Sequence, residues 1–393
     1  ATTLRELVTM AGVSKSTFYD HFESKQDCFL ATFDEIIARL RARVEGSYAS
    51  QGALRARLTA GLGALFGAAV EEPAAARLAA VESLTLGTAG IAHRERASTA
   101  FETALRKGFD EFPAQHEASP AAVVAIMAGV RNTIYRCVRG GQIERLPELV
   151  GPLVDWALSQ RRADDETIRR AVTAARRPVD PSDYRPGPAD PGAPGWDEPP
   201  DSRVSRARLS QRERLVRAAA AVVIDHGYEA LSIPVIARTA GVSNQTFYEN
   251  FGDKREPFLD AFAVLAEQAL GTGIAAFVAA GSHAEAVGVG LRALLEEIAA
   301  DRRFSRLAFF ELATAGPAAL DRADAILDGL VRFLEPGVAP GGIGEPPPRP
   351  ILEVIPASVW NVIQREIVHG RRAELPQLAP ELARIVLAPF GPA

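Results

Sequence analysis

Cysteine, lysine and any surplus of positive charge are scarce in this sequence, and each scarcity excludes something. Cys28 and Cys137 are the only cysteines, at unmatched places, so neither a disulfide framework nor a cysteine metal site can be drawn. They read as small buried hydrophobes in a reducing compartment. Lys15, Lys25, Lys107 and Lys254 are the only lysines among 44 basic residues, and the net charge is −5. A chain with that balance is not a general polyanion binder, so nucleic-acid binding would need locally placed donors and a few cations. No run of about 18 uninterrupted apolar residues occurs, so no membrane span is expected. No signal peptide opens the sequence, and the expected location is the cytoplasm. The six histidines form no metal-spaced pair, and no nucleophile has a partner recognisable from spacing; the expectation is a non-enzyme with no cofactor and no metal. Gly288-Val289-Gly290-Leu291-Arg292-Ala293 nominally fits a dinucleotide fingerprint. It follows no strand and lies within a helical pattern, so it is not read as a phosphate loop.

What is present is a long internal repeat. Ala11-Gly12-Val13-Ser14-Lys15-Ser16-Thr17-Phe18-Tyr19-Asp20-His21-Phe22 recurs as Ala240-Gly241-Val242-Ser243-Asn244-Gln245-Thr246-Phe247-Tyr248-Glu249-Asn250-Phe251, an offset of 229 residues. The same offset pairs Lys25 with Lys254, Phe33 with Phe262, Glu82 with Glu311, Gly141 with Gly370 and Leu146-Pro147 with Leu375-Pro376. A register held over about 130 residues argues for a duplicated domain pair; solenoid units are far shorter, roughly 20–50 residues. At 393 residues the chain can hold two or more domains with their own cores.

The periodicity is helical throughout, and an all-α fold is expected. Ile126, Val130, Ile134 and Val138 recur every four residues, as do Ile355, Val359, Ile363 and Ile367. A second helix follows each, around Pro147–Gln160 and Pro376–Ala388. Leu215, Ala218, Ala219, Val222 and Val223 mark a helix within 209–229 with Gly227 as its C-cap. Ala1 aligns with Ala230, so that leading helix has no counterpart in the first half. The Pro-, Gly- and Asp-rich run 176–205 reads as a linker, with Trp196 either docked or exposed. The patch 336–350 and its counterpart 107–120 read as loops.

Within each repeat the caps define a helix, a glycine turn and a second helix. In the second copy Ser232 precedes a short helix, Gly241 permits the turn, and Ser243 caps the next helix. Asp253 with Glu256 then forms a capping box for a third helix. Thr3 with Glu6, Gly12, Ser14, and Ser24 with Asp27 take these roles in the first copy. This is a helix-turn-helix, whose second helix would enter the major groove of double-stranded DNA. Phe18, Phe22, Phe247 and Phe251 should be core. Lys15, Ser16 and Thr17, or Asn244, Gln245 and Thr246, should point outward. Asn and Gln suit adenine edges and Lys suits guanine. Tyr19 and Tyr248 offer a hydroxyl to a phosphate, and Lys25 and Lys254 add an ammonium near a helix start. His21 and Asn250 lie on the same short helices.

At these residues the chain resembles the TetR family of bacterial transcriptional regulators, through Ala-Gly-Val-Ser-x-x-Thr-Phe-Tyr-x-x-Phe with a following Lys, carried twice. The resemblance implies a DNA-binding, effector-controlled repressor, each unit a reading domain followed by a helical ligand-binding and dimerising domain. The DNA-contact set it implies is Thr3, Ser14, Lys15, Ser16, Thr17, Tyr19, His21 and Lys25, with Ser232, Ser243, Asn244, Gln245, Thr246, Tyr248, Asn250 and Lys254. Polar residues on apolar helices are candidates for the pocket of a small-molecule effector: Glu82, Thr85, Asn132 and Tyr135, and Glu311, Thr314, Trp360 and Gln364. The helix pairs at 121–160 and 350–388 would form a four-helix interface, within one chain as a pseudo-dimer or between chains as a homodimer. The expected division is a first reading domain (1–35), a first regulatory domain (36–163), a linker (164–205), a second reading domain (206–262) and a second regulatory domain (263–393). Two unequal recognition helices imply an asymmetric operator. The alternative is a ligand-sensing or protein-interaction protein with one or both heads inactive; Lys15 and Tyr19 favour DNA.

Overall fold

The glycine turns that the repeat demands recur in matched pairs along the backbone. Gly12 and Gly241 have φ of +67° and +65°, Gly87 and Gly316 +57° and +91°, and Gly141 and Gly370 +64° and +77°. The computed structural model describes residues 3–49, 52–112, 114, 117–161, 165–184, 196, 198–335 and 344–391. Among them no strand forms, as the periodicity required. Of the expected linker and the expected loop at 336–350, residues 185–195, 197 and 336–343 lie outside the described residues.

Helices of the first half are α1 (Leu4–Ala11), α2 (Lys15–His21), α3 (Lys25–Ala49), α4 (Leu54–Glu71), α5 (Pro73–Ala80), α6 (Gly87–Asp110), α7 (Pro120–Arg139) and α8 (Val150–Ser159). A further helix, α9, spans Glu166–Ala175. The second half has α10 (Arg203–Arg208), α11 (Gln211–His226), α12 (Ile233–Ala240), α13 (Asn244–Asn250), α14 (Arg255–Ala279), α15 (His283–Ala300), α16 (Arg302–Arg306), α17 (Pro317–Val331), α18 (Arg349–Val368) and α19 (Ala379–Leu387). Shifted by the repeat offset, α1–α4 fall on α12–α15 and α6–α8 on α17–α19. The expected loop at 107–120 begins later than its composition suggested, because α6 stays helical to Asp110.

One compact unit comprises Ala1–Phe112 and Val130–Val154. Its core joins Phe33 and Ile36 of α3, Phe66 of α4, Leu105 and Phe109 of α6, and Leu146, all buried. The other comprises Pro113–Gly129 and Asp155–Ala393. The first part of α7 and the end of α8, which precede the expected boundary at residue 163, belong to the second unit. There a methyl group on Gly129 would fall 2.5 Å from both Trp156 and Val354. The Gln160 amide donates to the Ile385 carbonyl at 3.4 Å.

Within the span expected as linker, 164–205, a helix forms. Asp165 caps α9, accepting from the Ile168 N–H at 2.9 Å. Ile168, Ala171, Ala174 and Ala175 are buried against α15 and α19. The close approach rests on Gly288, whose methyl would come within 2.2 Å of the Ala171 carbonyl oxygen. The apparent dinucleotide fingerprint is thus a helix-packing surface within α15. Trp196 docks, with Arg217 stacked 5.2 Å from its ring centre. Among the described residues, two helices are long and apolar enough to span a bilayer, α7 and α14, and about half of each apolar window is buried.

Candidate nucleic-acid interface

Local chemistry sets the geometry of each reading head. In the first, Thr3 and Glu6 cap α1 reciprocally, and Gly12 ends it in a left-handed turn. The Ser14 hydroxyl accepts the Thr17 N–H at 3.0 Å and starts α2. Phe18 is buried beneath that helix, which leaves Lys15, Ser16, Tyr19 and His21 exposed, with Thr17 half-buried. Ser24 then accepts the Asp27 N–H at 3.1 Å as α3 begins, with Lys25 exposed at its start.

The second head repeats this frame. Ser243 accepts the Thr246 N–H at 3.0 Å, Phe247 is buried, and Tyr248 is 63% exposed, against 57% for Tyr19. Asn244 and Gln245 are exposed, and Gln245 reaches Glu249 at 3.0 Å. Asp253 accepts the Arg255 N–H at 2.7 Å just before α14, where Lys254 is the N-cap residue, and Glu256 accepts the Gly252 N–H at 2.8 Å.

Ser232 stands at the N-cap of α12, but its hydroxyl makes no capping bond. Two other expected contact residues have structural partners. The Asn250 amide donates back to the Thr246 carbonyl at 2.8 Å. Lys254 donates to the Leu231 carbonyl at 2.7 Å and lies 4.8 Å from the Tyr228 ring centre. Its ammonium therefore ties the start of α14 to the segment between α11 and α12.

The heads differ in cover. In the second, α11 buries Leu215, Ala218, Ala219, Val222 and Val223 against α12, α13 and α14. Ala240 and Phe251 are consequently buried. Their counterparts Ala11 and Phe22 are exposed and half-buried, and Met10 is 85% exposed. Phe22, expected as core, is only partly so because no described helix covers that face.

Residues 1–32 and 215–261 each match the family model of bacterial regulatory proteins, tetR family. Both heads are thus reading domains of the tetR family, and the chain that carries them is a TetR-like DNA-binding transcriptional regulator. No curated protein matches the chain.

Sequence reasoning missed the arginines that build this regulator's second head. Arg214 of α11 donates to the carbonyls of Ala240 and, at 2.9 Å, Gly241. It thereby holds the turn ahead of the recognition helix, and it reaches the Pro200 carbonyl at 3.3 Å. Burial pushes its pKa below the usual guanidinium value. Arg212 stacks 4.2 Å from the Phe251 ring centre and pairs with Asp260. The one available signal was the density of arginine in 203–217.

The proposed pocket residues have varied surroundings. Glu82 pairs with Arg77 at 3.0 Å, largely exposed, and Thr85 donates to the Glu82 carbonyl at 2.8 Å. Tyr135 is buried and accepts from Arg139. The Asn132 side-chain nitrogen is buried without a hydrogen-bond partner, as is the Thr314 hydroxyl. Glu311 is buried, paired with Arg306 at 2.7 Å, and accepts the Tyr228 N–H at 2.9 Å. That joins regulatory helices to reading head. Trp360 stacks on Phe309 with ring centres 4.2 Å apart, and Gln364 donates to the Phe309 carbonyl at 2.9 Å. Among the described residues no cluster of metal-ligating side chains occurs.

Proposed function

We propose that the chain is an effector-responsive repressor whose two heads engage the unequal halves of one asymmetric operator. One observation carries this reading: on frames with the same caps, buried Phe and exposed Tyr, the outward positions are Lys15-Ser16 in one head and Asn244-Gln245 in the other. Lys favours a guanine edge, whereas Asn and Gln favour adenine. The common residues Tyr19 and Tyr248, Thr17 and Thr246, and Lys25 and Lys254 supply the backbone grip. An ammonium has three donors, so the bond from Lys254 to Leu231 leaves capacity for a phosphate at the helix start. Ser14, Ser243, Ser232, Thr3, His21 and Asn250 complete the proposed contact surface.

We further propose an intrachain pseudo-dimer. The packing of Gly129 and Trp156 with Val354, and the Gln160 to Ile385 bond, support it, since they join segments of 121–160 to 350–388. A monomer in light scattering at working concentration is the expected result; a stable dimer would overturn it. An effector acts by binding one arrangement of the heads better than another.

Selection of bound fragments from genomic DNA, followed by footprinting, tests the operator. Two protected half-sites of different sequence are expected, and a palindrome would reject the asymmetric reading. Gln245→Ala should alter base preference in one half-site only. Tyr248→Ala should weaken binding across sequences. A uniform loss from both variants would remove Gln245 from base readout.

A further inference from the structure

The segment that leads into α11 is fastened to the second reading head. Arg217 stacks on Trp196. The Pro200 carbonyl accepts from Arg214 at 3.3 Å, and the same guanidinium holds the carbonyls of Ala240 and Gly241. A methyl group on Gly241 would stand 3.2 Å from the Asp201 side chain. The equivalent methyl on Gly12 of the first head would meet nothing within 4 Å. Helix α10 continues this segment and is itself fixed. Ser205 is buried, accepts nothing from solvent, and its hydroxyl donates to the Pro199 carbonyl at 2.8 Å. The N–H of Leu209, also buried, donates to the Ser205 carbonyl at 2.8 Å.

The chain carries a net charge of −5, yet 203–217 holds six arginines and one acidic residue, Glu213. Arg212, Arg214 and Arg217 serve the head internally, on Phe251 and Asp260, on the turn, and on Trp196. Arg203 and Arg206 of α10 are exposed. Arg206 donates to the Asp201 carbonyl, and a guanidinium has five donors, so most of its fork remains. Like charges gathered on one surface repel each other, and a polyanion offsets that cost. The turn at Gly241 leads into α13, whose first residues Asn244 and Gln245 are exposed. The first residues of a recognition helix approach base edges, and phosphates border the groove they enter. A basic segment fixed to that turn stands beside those phosphates.

We infer that Arg203 and Arg206 contact the DNA phosphates flanking the half-site of Asn244 and Gln245. The partner is the sugar–phosphate backbone and not the base edges, and the contact belongs to the second head alone. This rests on the reading of α13 as a recognition helix and extends that head's interface beyond the helix-turn-helix.

Salt titration of DNA binding by the full chain tests it, on a duplex spanning one footprinted genomic site. The double variant Arg203→Gln, Arg206→Gln should reduce the slope of log affinity against log salt by about 2, roughly one per phosphate contact. At about 0.1 M salt its affinity should fall on the order of 10- to 100-fold. The pair Arg203→Lys, Arg206→Lys keeps the charge and should keep most of the slope. Both positions are exposed, so the melting temperature of the free chain should be the same in all three proteins. Ethylation interference with the unaltered chain locates the contact without any substitution. It should mark phosphates beyond the Asn244-Gln245 half-site and on that flank only. An unchanged slope in the glutamine pair, interference on both flanks, or an altered base preference at the flank would overturn the inference. Gln245→Ala separates it from the reading beneath it. If Gln245→Ala changes base preference while the glutamine pair leaves the slope unchanged, α13 reads DNA and α10 does not contact it. If neither variant affects binding, the second head is no reader and both fail.

Discussion

The Glu311 carboxylate accepts the backbone N–H of Tyr228 at 2.9 Å while pairing with Arg306 at 2.7 Å. One buried side chain thus connects the end of the leading helix α11 to the π-helical turn Leu307–Glu311 of the regulatory helices. Glu82 and Arg77 repeat the ion pair at 3.0 Å in the first half, but on the surface. Chemical denaturation should separate the two. Glu311→Ala leaves a charge and a buried N–H without partners and should cost about 3–5 kcal/mol. Glu82→Ala removes an exposed pair and should cost about 0–1 kcal/mol. Equal costs would show that Glu311 carries no special linkage.

Arg214 satisfies the carbonyls of Ala240 and Gly241 from a buried position. Arg214→Ala should destabilise the second head by about 2–3 kcal/mol. Its DNA affinity should fall at the Asn244-Gln245 half-site, with the other half-site protected as before. Footprinting across both half-sites reads this directly; equal loss at both would contradict a local role.

Hydrogen exchange should distinguish the heads. With Phe22 half-buried and Ala11 exposed, amides of 8–22 should exchange on the order of tenfold or more faster than those of 237–251. Equal protection would mean that the first head gains cover in solution.

Gly288→Ala places a methyl 2.2 Å from the Ala171 carbonyl, a backbone atom that cannot rotate away. A cost of about 1–3 kcal/mol in the second unit is expected, with faster exchange in α9. An unchanged melting temperature would show that α9 is not held against α15.

His283 is buried, hydrogen-bonded through Nε2 to the Phe333 carbonyl at 2.9 Å, and set edge-on to Phe277. Burial holds its pKa below the ordinary value of 6.5. The unfolded chain therefore takes up a proton first as pH falls. Stability from the neutral ring is complete above pH 6.5 and declines below it toward the lowered pKa. Stability measured between pH 8 and 5 should show this decline, and His283→Phe should flatten it. An identical pH profile in the variant would assign the decline to other groups.

Much of the fold was legible because it is local. Capping by Ser14 and Ser243, the glycine turns, and burial of Phe18 and Phe247 follow from side-chain chemistry within a few residues. The missed features involve distant partners. Helix α9 is hard to tell from a proline-rich linker because its apolar stripe is short, and Ile168 and Ala171 acquire meaning only against α15 and α19. In the sequence Lys254 is an ammonium near a helix start, and only the fold brings Leu231 and Tyr228 to it. Glu311 is a polar residue on an apolar helix, and only the fold brings it the Tyr228 N–H.

The sequence by itself determined that two tetR-like units follow one another, that both are helical, and that their recognition helices present different side chains. Those facts reside in periodicity, caps and an offset, which need no knowledge of the fold. Tertiary structure decided which side chains have partners. It buried Phe251 while leaving Phe22 half-covered, assigned part of α7 and the end of α8 to the second unit, and stacked Trp360 on Phe309. Burial and charge pairing depend on what distant segments bring near, and no local pattern encodes that.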